Sequence, residues 1–242
     1  MPDSLHVVLI DASLGDTHVQ RNFKRELEAD LTIVRVSQGE SLPRLPTNGN
    51  AIPSLPFDAV VISGSQSSVY DDRPWIARLA TWTRRVLNAG LPVLGVCWGH
   101  QLLAQMMGGT VEDRGAYELG YVEVEHVASD ALLVGLSNPF VAFATHSDEV
   151  TSVPDEVSVL ARNEAGIQAL RKGHAYGVQF HPEYDMRTAR DMIQRKELPM
   201  HELKAALDTV TEEQVRAAQS TKQILNNFLR TAAMLRAKRD EA

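Results

Sequence analysis

The stretch Leu94-Gly95-Val96-Cys97-Trp98-Gly99-His100-Gln101 joins an apolar, strand-like run to a helix-like segment and contains the only cysteine of the chain. Its pattern Gly-x-Cys-x-Gly is the thiol version of a nucleophile elbow, where glycines permit a sharp turn from strand to helix. Such a turn raises the nucleophile above the end of a sheet. The stretch therefore predicts a strand–turn–helix unit with Cys97 as the candidate nucleophile. The alternative is a small buried cysteine without a chemical role.

A second stretch, Val178-Gln179-Phe180-His181-Pro182-Glu183, carries the groups that a nucleophilic cysteine requires. Residues two apart on an extended segment point the same way, and Pro182 restricts His181 to extended geometry. A thiol, an imidazole that deprotonates it and a carboxylate that orients the imidazole are the parts needed for covalent acyl transfer. His181 and Glu183 are therefore candidate partners of Cys97. The alternative for His181 is a structural or surface histidine.

The composition is that of an ordinary globular protein. The chain has 242 residues, of which 44% are hydrophobic and 23% charged, enough for one domain with or without an elaboration. A formal net charge of −7 disfavours nucleic acids and anionic membranes as partners. The single cysteine fits a reducing compartment. The chain start has no signal-peptide pattern, and no apolar run reaches the length of a membrane span, so we expect a cytoplasmic protein.

Apolar strands alternate with amphipathic helices in the first hundred residues. Strands are predicted at 5–10, 31–36, 57–63 and 92–96, and helices at 17–29, 74–88 and 98–107, with a Pro/Gly/Asn-rich loop at 37–56. This alternation predicts a mostly parallel sheet flanked by helices. Ligands of such sheets bind at the carboxyl ends of the strands, where Ser63-Gly64-Ser65, Cys97 and His181 fall.

The pattern becomes richer in strands after Thr110 and helical again after Glu183. Strands predicted at 119–127, 140–144, 158–163, 166–170 and 175–180 indicate antiparallel hairpins beside the parallel core. A short helical excursion is expected at 185–210. Thr211-Glu212-Glu213-Gln214 forms a capping box that opens a helix whose apolar stripe is expected to pack on the sheet. We expect a main domain at 1–195 and a C-terminal helical extension at 196–242.

With both motifs considered together, the chain resembles the class I, triad-type glutamine amidotransferases and the related γ-glutamyl hydrolases and peptidases, over roughly residues 5 to 195. Three weaker matches occur in the expected order. They are Ser63-Gly64-Ser65 for the oxyanion loop, Tyr117-Glu118-Leu119-Gly120 after the elbow helix, and Thr145-His146-Ser147-Asp148-Glu149-Val150, which is similar to a segment of the guanylate synthetase amidotransferase domain. The run from Gly64 to Asp72 and Pro74-Trp75-Ile76 look most like stand-alone, guanylate-synthase-like members. The resemblance implies a flavodoxin-like fold.

The resemblance also implies a reaction and a set of site residues. Cys97, His181 and Glu183 would hydrolyse the γ-amide of glutamine, or of a γ-glutamyl compound, through a γ-glutamyl thioester that releases ammonia or an amine. The N–H of Trp98 and one from the Gly64-Ser65 loop would bind the oxyanion. Gln101 and Glu118 are candidates for the glutamyl pocket; the alternatives for them are an ordinary helix residue and a solvated charge. The chemistry requires no cofactor and no metal, and no metal-ligand spacing is visible.

Some residues depart from the pattern of the family. The oxyanion loop has Ser63-Gly64-Ser65 where many members have Gly-Gly-Pro, and His100 stands where small or apolar residues are common. No phosphate-binding loop is present, so any acceptor for ammonia must be a separate synthetase chain. We interpret His146 and Asp148 as surface residues of a loop. Three alternatives remain: a stand-alone γ-glutamyl peptidase or hydrolase, a non-catalytic binding protein of the same fold, and another cysteine-dependent α/β hydrolase.

Overall fold

The computed structural model describes residues 4–16, 18–45 and 56–241. Within these ranges the strands are β1 (His6–Asp11), β2 (Asp30–Arg35), β3 (Ala59–Ile62), β4 (Val93–Val96), β5 (Thr110–His126), β6 (Phe140–Ser152), β7 (Ser158–Asn163), β8 (Gly166–Lys172) and β9 (Ala175–Val178). The helices are α1 (His18–Glu26), α2 (Pro74–Asn88), α3 (Trp98–Met106), α4 (Met186–Gln194), α5 (Met200–Asp208), α6 (Glu212–Ala218) and α7 (Gln223–Asp240). Thr17 and part of the predicted loop at 37–56 lie outside the described residues.

The strands form one mixed sheet in the order β2-β1-β3-β4-β9-β8-β7-β5-β6. The first five of these strands are parallel, and each later neighbour pairs antiparallel. The predicted α/β class, with a parallel core and added antiparallel strands, is therefore confirmed. Because the parallel strands run the same way, the carboxyl ends of β3, β4 and β9 meet at one edge.

Helices cover both faces of the parallel part, which explains why β3, β4 and β9 are buried at every residue. Alternate residues of β1 enter opposite cores: Val7 and Leu9 pack in the cluster that holds Phe23 of α1 and Phe228 of α7. Val8 and Ile10 pack on the other face with residues of α2 and α3. The sheet thus lies between two apolar layers.

The β5–β6 pair extends further than the sequence predicts. β5 begins at Thr110 rather than 119, and β6 continues to Ser152 rather than 144. The added part of β6, residues 145–152, contains polar residues. It therefore lacks the apolar pattern that predicts the first part of the strand. On one face of this pair, Tyr121 and Phe143 form a third cluster with residues of α4, α5 and α6.

The C-terminal helices differ from the single helix that the capping box predicts. Half of the box is present: the Thr211 hydroxyl accepts from the Gln214 N–H at 3.1 Å, whereas the Thr211 N–H donates to the Thr209 carbonyl. The helix is interrupted by a 3-10 turn at Gln219–Lys222. There, the hydroxyls of Ser220 and Thr221 donate to backbone carbonyls three residues earlier, which competes with regular helical bonding. The apolar stripe is consequently divided between two clusters, α6 in the third cluster and α7 in the main core.

The predicted excursion at 185–210 is also resolved into two helices, α4 and α5, with Pro199 at the start of the second. Among the described residues, none of the helices combines the length and the apolar character needed to cross a bilayer.

Candidate active site

The nucleophile elbow is formed as the glycine pattern predicts. Cys97 lies between β4 and α3 with φ 54° and ψ −107°, and among the described residues it alone has a positive φ without being glycine. A Cβ on Gly95 would lie 2.2 Å from the Gly99 carbonyl oxygen, and one on Gly99 would lie 2.4 Å from that of Ile62. Only glycine therefore lets α3 approach the strands closely enough to hold Cys97 in this strained conformation.

His181 and Glu183 lie just beyond β9, the strand next to β4. The Cys97 N–H donates to the Val178 carbonyl at 2.8 Å, which ties the elbow to β9. The His181 N–H donates to the Phe143 carbonyl of β6, also at 2.8 Å. His181 Nδ1 lies 2.8 Å from Glu183 Oε1, and both side chains are buried. The elbow and the His-Pro-Glu segment are thus adjacent although they are distant in sequence.

The electrostatics of this site favour a charged imidazole. Burial by itself would lower the pKa of His181, but the negative charges of Glu183 and Cys97, together with hydrogen bonds to both, raise it well above its usual range. The ring also stacks on Tyr184 with centroids 4.2 Å apart. An imidazolium between a thiol group and a carboxylate is the arrangement that favours a thiolate nucleophile.

Cys97 and His181 line a cavity of about 130 Å³ at the carboxyl ends of the strands. Gly64 lies against both of them: a Cβ there would be 3.1 Å from His181 Cε1 and 3.8 Å from Cys97 Sγ. The buried Ser63 hydroxyl accepts from the Ala12 N–H at 3.0 Å and donates to the Gly64 carbonyl at 2.9 Å. The Ser63 hydroxyl therefore stabilises the loop at 63–65, where this chain has Ser-Gly-Ser in place of Gly-Gly-Pro.

The remaining predicted site residues occupy different positions. Gln101 lines the cavity, and its amide Nε2 donates to the Asp148 carbonyl at 2.9 Å and to Gln179 Oε1 at 3.2 Å. Ser65 also lines the cavity. The Trp98 indole is buried against Trp75, and Trp98 is not among the described residues that line the cavity, so its backbone N–H as a donor stays a prediction.

The interpretation of His146 and Asp148 as surface loop residues is wrong. Both are buried, both belong to β6 and both line the cavity. His146 Nε2 lies 2.7 Å from Glu118 Oε2, because β5–β6 pairing places these two residues directly opposite each other. Among the described residues, the cavity lining includes His146 but not Glu118. A direct contribution of Glu118 to the pocket stays a prediction.

The sequence did not assign several residues at the cavity to the site, among them Tyr70, Asp16 and Lys196. Tyr70 supports the cavity from outside its lining, since its hydroxyl donates to Asp148 Oδ1 at 3.1 Å. Asp16, at the end of the β1–α1 loop, and Lys196, after α4, belong to the lining itself. The position of Asp16 after the first strand was a usable signal, because ligands gather there in such sheets. Nothing local in the sequence marks Lys196.

Metal binding was not expected at this site. In the described part of the chain, no group of three or more His, Cys, Asp or Glu side chains is arranged to hold a metal ion.

Comparison with known proteins shows the family to which this chain belongs. The family model described as glutamine amidotransferase class-I matches residues 8–199. The chain belongs to the class-I glutamine amidotransferase family. The resemblance inferred from the motifs is thus confirmed.

Relatives of this class-I amidotransferase chain include enzymes of guanylate synthesis. A protein of Aeropyrum pernix named GMP synthase (glutamine-hydrolyzing) is 36% identical over 183 residues, covering 75% of this chain and 33% of its own length. A protein of Sulfurisphaera tokodaii, named as one subunit of GMP synthase (glutamine-hydrolyzing), is 37% identical over 130 residues, which are 52% of this chain and 68% of that protein. The chain covers only about a quarter to a third of the length of the first relatives that it matches.

The fold agrees with solved structures at low sequence identity. A glutamine amidotransferase from Thermotoga maritima superposes with a TM-score of 0.73 at 22% identity, covering 95% of this chain and 98% of its own. A glutamine amidotransferase from Methylobacillus flagellatus gives a TM-score of 0.73 at 21% identity, with 94% of both chains covered.

Proposed function

We propose that this chain hydrolyses the γ-amide of glutamine through a γ-glutamyl thioester on Cys97. The observation that carries the proposal is the strained elbow, which holds the Cys97 thiol in one cavity with His181, whose imidazole is in turn paired with Glu183. A buried cysteine without a chemical role would not require a positive φ between two glycines that tolerate no Cβ. Membership of the class-I amidotransferase family supports the same reaction.

In the first half-reaction, the Cys97 thiolate attacks the carbonyl carbon of the γ-amide and a C–S bond forms. The electron pair of the C=O bond moves to oxygen, giving a tetrahedral oxyanion. The Trp98 N–H and an N–H of the Gly64–Ser65 loop are the proposed donors to this oxygen, because Trp98 directly follows Cys97 at the start of α3 and Gly64 lies against the thiol. Loss of one such donor commonly costs about 3 kcal/mol of activation free energy.

The oxyanion then collapses, the C–N bond breaks, and His181 gives its proton to the departing nitrogen, which leaves as ammonia. In the second half-reaction, His181 takes a proton from water and the resulting hydroxide attacks the carbonyl carbon of the thioester. The C–S bond then breaks, which releases glutamate and leaves Cys97 as the thiolate. Glu183 holds the imidazole through Nδ1 and stabilises its charged form. Gln101 is proposed to bind the glutamyl group from the cavity wall.

We further propose that ammonia passes to a separate synthetase chain, since some relatives of this protein are named as single subunits of GMP synthase (glutamine-hydrolyzing). A reducing, cytoplasmic compartment is proposed from the single cysteine. We also propose the division into a main domain at 1–195 and a helical extension at 196–242, which the family match at 8–199 supports.

The function is tested by treating the protein with an electrophilic glutamine analogue and locating the adduct by mass spectrometry. Ammonia and glutamate release is measured in parallel for the wild type and Cys97→Ala. We expect one adduct, on Cys97, and loss of turnover in Cys97→Ala. Absence of the adduct together with equal turnover in the two proteins would sink the proposal. Turnover of γ-glutamyl peptides in preference to glutamine would instead favour a stand-alone γ-glutamyl hydrolase.

A further inference from the structure

We propose that Lys196 is a specificity-determining residue that binds the α-carboxylate of the γ-glutamyl substrate. The inference rests on the proposed function, because it takes the substrate to be an amino acid whose side-chain amide reaches Cys97. It assigns a ligand group to a residue outside the triad and outside the motifs that identify the family.

Lys196 is a cation of the same cavity that holds the nucleophile. It follows the C-terminal end of α4 and, among the described residues, is the single lysine or arginine in the lining of the Cys97 cavity. Its side chain is half-buried. An ammonium group placed at a partly enclosed ligand cavity favours an anionic ligand, since solvent screens the pair less than on an open surface.

Among the described residues, Lys196 also has no anionic partner. In the part of the chain that the structure describes, no carboxylate lies within 4.0 Å of Lys196 Nζ. Two other cations near α4 do have such partners: Arg195 pairs with Asp191 at 3.0 Å, and Arg25 pairs with Asp185 at 2.6 Å. Arg187 and Arg190 of α4 have no carboxylate within 4.0 Å among the described residues, but neither lines the cavity. Lys196 is therefore the cation at the cavity whose charge the described residues do not neutralise.

Tyr117 holds the ammonium group in place without consuming its charge. Lys196 Nζ lies 4.6 Å from the centroid of the Tyr117 ring and 3.5 Å from its hydroxyl oxygen. A cation over an aromatic face is restrained in position but keeps N–H donors available to a carboxylate. Tyr117 itself lines the cavity, so the pair lies where a ligand enters.

The charges of the cavity match a free amino acid. Besides Lys196, the lining contains the acidic residues Asp16, whose carboxylate lies 3.9 Å from Arg195, and Asp148, whose carboxylate accepts from the Tyr70 hydroxyl. A ligand that carries an ammonium group and a carboxylate complements both signs, and glutamine has this pair on its α-carbon. The leaving group of glutamine, ammonia, is neutral, so the only anionic group of glutamine is its α-carboxylate. We therefore assign the α-carboxylate to Lys196.

The test compares glutamine with glutamine α-amide, in which a neutral carboxamide replaces the α-carboxylate. kcat and KM are measured for the wild type, Lys196→Ala and Lys196→Arg, with Lys204→Ala, an exposed lysine of α5, as the matched control. We expect the wild type to prefer glutamine by about tenfold or more in kcat/KM, as for loss of a charge-assisted hydrogen bond. Lys196→Ala should lose this preference through a higher KM for glutamine. Lys196→Arg should retain most of it, and Lys204→Ala all of it.

Equal use of the two substrates by the wild type would overturn the inference, as would an equal loss on both substrates in Lys196→Ala. Binding provides a readout that does not need turnover. Calorimetry with glutamine compares Cys97→Ala with Cys97→Ala/Lys196→Ala, and an unchanged affinity in the double variant would also overturn it. Failure of the proposed function is distinguishable, because in that case the wild type has no Cys97-dependent turnover whatever residue occupies position 196.

Discussion

At the scale of single residues, His181 is the group on which the proposed chemistry depends. Its environment contains opposing influences: burial disfavours the imidazolium, whereas Glu183 and Cys97 favour it and prevail, so the pKa of His181 is raised. A raised pKa keeps the imidazole protonated through neutral pH. It can then both stabilise the Cys97 thiolate and supply the proton that the departing nitrogen requires.

Glu183→Gln should therefore change the pH profile as well as the rate. Removing the carboxylate charge lowers the pKa of His181, so the imidazolium is lost at a lower pH. We expect kcat/KM for glutamine to fall by about 100-fold or more, and its alkaline limb to move to lower pH. The profile is measured from ammonia release between about pH 5 and about pH 11, a range that spans both the ordinary and the raised pKa of a histidine.

Glu123→Gln is the matched control, because it removes the same charge from an exposed position of β5. Its profile should coincide with that of the wild type. An alkaline limb that stays in place in Glu183→Gln would show that Glu183 does not set the protonation of His181. A wild-type rate would remove Glu183 from the proposed triad.

At the scale of elements, the elbow could be predicted because its determinants are local. Gly95 and Gly99 flank Cys97 closely in sequence, and each is required by a backbone atom that a Cβ would strike. The polar half of β6 could not be predicted in this way. His146 is buried because it pairs with Glu118 across two strands, and that register is set by long-range contacts with no local signature.

Gly99→Ala tests the close approach of α3 to the sheet. The new Cβ would lie 2.4 Å from the Ile62 carbonyl oxygen, so α3 must move away from β3 and carry the Cys97 backbone with it. We expect a loss of about 3 kcal/mol or more in the free energy of unfolding, measured by urea denaturation. Turnover should fall even at temperatures where the variant is folded.

Gly173→Ala is the control for the elbow. Gly173 has φ +57°, but nothing lies within 4 Å of the Cβ that alanine would add. Gly173→Ala should therefore lower the free energy of unfolding only through its backbone conformation, by about 1–2 kcal/mol, and should leave turnover unchanged. If the two variants lost equal stability and Gly99→Ala kept full turnover, the helix–strand contact would not be what positions the nucleophile.

At the scale of the whole molecule, the C-terminal helix is part of the core that supports the site. The sequence predicted that its apolar stripe packs on the sheet, and α7 does so: Phe228 contacts Tyr176 of β9 with ring centroids 6.1 Å apart. The break before α7 was not predicted, because it arises from hydroxyl-to-backbone bonds and from two separate packing surfaces. Since β9 leads directly to His181, packing by α7 stabilises the segment that carries the imidazole.

Phe228→Ala should show how strongly the molecule depends on this helix. Phe228 is fully buried, and its truncation leaves a cavity between α7 and the sheet, so we expect a loss of about 3–5 kcal/mol in the free energy of unfolding. Met234→Ala on the same helix is the control, because Met234 is 63% exposed and should change stability by less than about 0.5 kcal/mol. Thermal unfolding and loss of turnover should share one midpoint in Phe228→Ala. Turnover that survives after α7 has unfolded would mean that the site does not need this helix. A decrease of less than about 1 kcal/mol in the free energy of unfolding would mean that α7 is peripheral to the core.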